Sequence, residues 1–67
     1  MGLKEMQKIR NHMKLMRTLS EDYESLSFIS RELRMNYYTI QQSVLFFRVL
    51  GVVEMKEGSF RWKKERM

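Results

Sequence analysis

The chain has 67 residues, 43% of them hydrophobic and 31% charged, and no cysteine. That is one small domain, expected to bury only about 60% of its unfolded surface, and it has no disulfide framework or thiolate metal site to staple it. Thirteen Lys and Arg against eight Asp and Glu give a net charge of +5, which favours a polyanionic partner over an ordinary solvated basic surface. The acids gather at Glu21, Asp22 and Glu24, whereas Arg61, Lys63, Lys64 and Arg66 crowd the C-terminus, so one side is expected to be positive.

From Leu3 to Thr18 there is no Gly or Pro, and Met6, Ile9, Met13 and Met16 recur at steps of three and four. They share one stripe, flanked by Arg10, Lys14 and Arg17, and predict an amphipathic helix over 3–18. His12 has no second ligand type nearby and reads as a helix-surface residue. Ser20–Glu24 reads as a polar connection. A short helix over 27–34 follows, with Ser27 as its N-cap and Ile29 and Leu33 facing inward. Serines at 25 and 30 leave the cap open by a residue or two.

Asn36 predicts the cap of a third helix, over 36–50, with Ile40, Val44 and Phe47 as its inward stripe and Gly51 as a left-handed end. The period then changes. Val52–Lys56 and Ser59–Lys63 alternate apolar and polar about Glu57-Gly58, which predicts a tight β-hairpin over 52–63. Val53, Met55, Phe60 and Trp62 should close the core, with Trp62 packed inside rather than stacking on a nucleic acid. Lys56, Arg61 and Lys63 should point the other way, toward solvent or a phosphate backbone.

The stretch from Leu26 to Lys63, LSFISRELRMNYYTIQQSVLFFRVLGVVEMKEGSFRWK, resembles the winged helix-turn-helix domains of MarR-like and ArsR-like transcription regulators. Ile29 and Leu33 match the first helix's core positions, Met35 the apolar turn residue, and Ile40, Val44 and Phe47 the core of the recognition helix. Phe47-Arg-Val-Leu-Gly-Val-Val-Glu54 matches the exit into the wing. The resemblance implies an α+β fold, three helices followed by a two-stranded wing, and a small regulator of transcription bound to double-stranded DNA. One departure is Arg34, at a turn position where such domains often carry Gly. A non-Gly residue at positive φ is uncommon, so the turn is expected to be built differently.

On that reading, the uncharged segment Met35–Phe47 is the groove-facing helix. Its polar half offers Tyr37, Tyr38, Thr39, Gln41 and Gln42, and Gln can pair with adenine through donor and acceptor together. The same residues would equally serve as an ordinary helix surface. Because the helix is neutral before Arg48, phosphate contacts are expected from Arg48, from the first helix, and from Lys56, Arg61, Lys63 and Lys64 at the wing. Leu45 and Val49 project away from the domain's own centre. With Met6, Met13 and Met16 they suggest a homodimer, unless the first helix folds back to cover them.

Winged helices also serve as protein- or RNA-binding modules of larger assemblies, which is the alternative class. Catalysis finds no constellation: there is one His and no Cys, and the three glycines, at 2, 51 and 58, form no phosphate loop. No cofactor or metal is expected. No apolar run approaches the ~20 residues of a membrane span. The alternation of charge and methionine from Lys4 is unlike a secretory signal, and Met6 stands where a myristoylation signal needs Ser or Thr. A soluble intracellular protein is expected, in the cytoplasm with the nucleoid, or in a eukaryotic nucleus.

Overall fold

The periodicities resolve into six elements in a computed structural model, which describes residues 2–64. These are α1 (Leu3–Leu19), β1 (Glu24–Ser25), α2 (Leu26–Leu33), α3 (Tyr37–Val49), β2 (Val53–Lys56) and β3 (Ser59–Trp62). Arg66, counted above in the basic C-terminal cluster, lies outside the described residues. The fold is α+β, three helices with a three-stranded antiparallel sheet in the order β1-β3-β2. The expected two-stranded hairpin thus gains a third strand. Ser20–Glu24 is not wholly a polar connection: it ends in β1, where Glu24 pairs with Phe60 and Ser25 with Ser59.

Helix α1 buries Ile9 and Met13 completely and Met6 and Met16 in part, as the stripe predicts. Ser25, not Ser27, caps α2, its Oγ accepting from Phe28 N–H at 3.1 Å. The shift follows from β1, which brings the chain to the helix in extended form two residues earlier than the expected cap.

Arg34 ends α2 in the left-handed region, at φ 53° and ψ 45°. The turn is therefore built in the usual way with an unusual residue, contrary to the expectation of a different construction. Two bonds close it: Met35 N–H donates to Ser30 O at 3.1 Å, and Ser30 Oγ donates to Met35 O at 2.6 Å. The end of α3 repeats the pattern with glycine. Gly51 has φ 82°, and Val52 N–H reaches back to Phe47 O at 3.1 Å. Asn36 caps α3 as predicted, its Oδ1 accepting from Tyr38 N–H at 2.7 Å.

The hairpin turns on Glu57 and Gly58, both at positive φ, between the paired Lys56 and Ser59. Val53 lies opposite Trp62 and Met55 opposite Phe60. Val53, Phe60 and Trp62 join Ile9, Met13, Leu26, Ile29, Ile40, Val44 and Phe47 in one core. Trp62 meets Phe47 edge to face, with centroids 5.5 Å apart, and is a core residue. Met55 is not: it is 44% exposed on the edge strand β2, whereas Phe60 opposite it on the inner strand β3 is buried.

Two polar contacts tie the connection after α1 to the rest of the domain. His12 is not on the surface. Its Nε2 lies 3.2 Å from Glu24 Oε2, and both side chains are largely buried, at 10% and 14% exposure. Burial pushes the Glu24 carboxyl above its ordinary value, against the pull of His12.

Arg61 does alternate away from Phe60 and Trp62, but it does not reach into solvent. Its Nε donates to Glu54, the cross-strand neighbour, and its Nη1 donates to the Glu21 carbonyl at 2.5 Å. Its guanidinium sits over the Tyr23 ring, 4.3 Å from the centroid.

Arg34→Gly should be neutral or stabilising by up to about 1 kcal/mol, and Arg34→Val destabilising by about 1–2 kcal/mol, in chemical denaturation. Equal midpoints for the two would mean that the backbone there is not held left-handed. A second outcome concerns acid. The hydrogen bond from Arg61 holds the Glu54 carboxyl below its ordinary value of 4.5. A depressed carboxylate stabilises above its unfolded value and loses that contribution as pH falls. Glu54→Gln should therefore flatten the drop in melting temperature from about pH 5 to pH 3. An unaltered acid limb would rule this pair out as a contributor.

Candidate functional site

The three residues Arg34–Asn36 separate α2 from α3, and the cap at Asn36 starts α3 with its first turn at the surface. Ile40, Ser43, Val44 and Phe47 face the core, so the other side of α3 is turned away from it. Two outward stripes follow from the helical period. Tyr37, Gln41 and Arg48 form one, at steps of four and seven; Tyr37 and Arg48 are exposed and Gln41 half-buried. Tyr38, Gln42, Leu45 and Val49 form the other, in which Gln42 is half-buried and the rest are exposed. Thr39 is half-buried at the flank beside Phe46. No acid occurs between Tyr37 and Val49.

The apolar end of α3 remains uncovered. Leu45 is 38% exposed and Val49 85%, with Phe46 and Leu50 also exposed. Helix α1 packs against α3 and β3, yet it does not cover this face. The fold-back alternative is thereby answered for Val49. The methionine stripe, however, is not the other half of an exposed patch. Met13 is 1% exposed inside the core, and Met6 and Met16 are half-buried, because α1 uses that stripe to hold its own domain together. Met13 is thus withdrawn as a dimer contact.

The cations fall into separate places. Lys56 is exposed next to the hairpin turn. Lys63 and Lys64 are exposed beyond the other end of β3, where Lys63 N–H extends the hairpin by donating to Val52 O at 2.8 Å. Val52 and Lys56 are four residue steps apart, about 13 Å at 3.3 Å per residue, so these lysines do not form one cluster. Arg61 is committed to Glu54, Glu21 and Tyr23, which corrects its reading as an outward, unengaged wing cation.

Instead, Lys63 and Lys64 meet the C-terminal half of α1. With Lys14, Arg17, Thr18 and Glu21, over Trp62, they line a groove of about 340 Å³. The spacing of Arg17 and Glu21, four apart, marks an ion pair within α1 and its extension. Nothing in the linear order marks that the chain's last strand returns to it.

Among the described residues no helix is long and apolar enough to cross a membrane. No protein-family model matches this chain, and neither does any curated protein or solved structure.

Proposed function

We propose that the chain is a winged helix-turn-helix protein that binds double-stranded DNA as a small transcriptional regulator. The order of elements supports this, since α2, a three-residue turn and α3 lead directly into a hairpin whose second strand pairs with β1. One observation carries the reading. The outward side of the N-terminal half of α3 is polar, uncharged and free of acids, with Tyr37 and Tyr38 exposed and Gln41 and Gln42 half-buried, Arg34 before it and Arg48 near its end. A helix of that kind enters a major groove with its first turns at the base edges, and phosphate repulsion is absent. Tyr37, Gln41 and Arg48 would read along one stripe and Tyr38 and Gln42 along the other. Such a protein would act on the nucleoid, or in the nucleus of a eukaryote.

The exposed Leu45, Phe46, Val49 and Leu50 favour a second reading, a contact with another protein chain. A second copy covering Leu45 and Val49 would make a homodimer compatible with DNA binding. A different partner covering the whole outward face of α3 would make the domain an interaction module instead.

Gln41→Ala and Gln42→Ala should each cost about 1–3 kcal/mol on a duplex selected from random sequence, and less on random duplex. Equal losses on both would reduce α3 to a positioning element. In sedimentation at micromolar concentration, a homodimer should dissociate on replacing Leu45 and Val49 with lysine, and the selected site should be a palindrome with half-sites about one helical turn apart. An 8.3 kDa monomer with and without DNA would remove the homodimer.

A further inference from the structure

The groove between α1 and the exit of β3 gathers Lys14, Arg17, Lys63 and Lys64, and Glu21 is the one carboxylate among the described residues that line it. Three of its properties bear on what it takes. Arg17 is nearly fixed, with a side chain only 12% exposed, and its Nη1 donates to Glu21 Oε2 at 2.8 Å. Its Nε is sealed from solvent and has no acceptor, so part of the guanidinium's donor fork is unused. Glu21, by contrast, has a side chain 77% exposed, and such a pair is weak and readily exchanged.

The Glu21 backbone is held separately, its carbonyl accepting from Arg61 Nη1 at 2.5 Å. The carboxylate can therefore leave Arg17 without loosening the connection that carries it. Arg17, Lys64 and Arg61 together hold the Glu21 carboxyl below its ordinary range, with Arg17 dominant. The position is one where several cations act on the same anion.

We propose that this groove binds a phosphate group of a nucleic-acid backbone, and that Glu21 stands in for that phosphate in the free protein. The chemistry of the groove selects the phosphate; its source in duplex DNA rests on the function proposed above. The incoming group displaces the carboxylate from Arg17, takes the charge-assisted hydrogen bond of a guanidinium already oriented by burial, and meets Lys63 and Lys64 from the strand side. Arrival of the ligand therefore exchanges one anion for another rather than neutralising an empty cluster. Glu21 lowers affinity for every polyanion equally and so suppresses binding that lacks additional contacts.

The test is a titration of the nitrogen-15-labelled protein with inorganic phosphate, followed by nuclear magnetic resonance. The Arg17 Nε–H and the amides of Thr18, Lys63 and Lys64 should shift together. Glu21→Gln should tighten the fitted dissociation constant by about two- to fivefold, the range an exposed ion pair allows. Glu5→Gln, which removes the same charge at the far end of α1, should leave it unchanged. The same three proteins are then titrated with random-sequence duplex. A gain confined to Glu21→Gln supports the exchange, and equal gains for both variants show a general charge effect and overturn it. Phosphate that leaves these resonances unmoved, or binds the wild type and Glu21→Gln equally, also overturns it. Shifts with phosphate but none with duplex keep the anion site and reject DNA as its source.

Discussion

The domain depends on β3 being inner on both of its edges and divided between its two faces. Four residues long, it pairs with β1 on one side and β2 on the other. One face sends Phe60 and Trp62 into the core, where Trp62 meets Phe47 of α3 and α1 packs alongside. The other presents Arg61 to Glu54, Tyr23 and the Glu21 carbonyl. Strand alternation assigns these neighbours, and a slip of one residue would exchange arginine for tryptophan on the apolar side. The register of this short strand therefore sets where α1 and α3 stand relative to the hairpin.

The helix ends do the finer positioning. At 67 residues the core is too small to tolerate loosely aimed helices. Both α2 and α3 close with a left-handed residue and a backbone bond reaching five residues back. Glycine meets this demand after α3 without steric cost, and Arg34 meets it after α2 at some cost, offset by the bonds between Ser30 and Met35. The direction in which α3 leaves the turn, and hence which of its residues face outward, follows from those bonds and from the Asn36 cap.

What was legible in the sequence was what local periodicity and capping control. The three helices, the Asn36 cap, the Gly51 end and the Glu57-Gly58 turn each have a signal within a few residues. So does the outward projection of Leu45 and Val49. The features that escaped depend on groups far apart in the chain. β1 is two residues long, too short to show alternation, and exists only because Ser59 and Phe60 return beside it. Arg61 has the pattern of an exposed strand residue, and its engagement with Glu21 joins positions separated by 40 in the sequence. His12 looks like a surface residue until β1 brings Glu24 against it, and Lys63 looks like a wing cation until α1 supplies the opposite wall of its groove.

The His12–Glu24 contact constrains how this sequence is able to vary. Replacing either member alone strands the other's polar group in a largely buried place, which typically costs several kcal/mol for a charged survivor. Replacing both with apolar residues of similar volume is often neutral or better, because the desolvation of both groups disappears together. The two positions therefore behave as one inherited unit spread over α1 and β1. Each allows few substitutions while the other is held constant, although the pair as a whole is free to become something unrelated. A chain that drifts one residue at a time must cross a less stable intermediate to reach that alternative, which keeps a polar pair beside a core that does not require one.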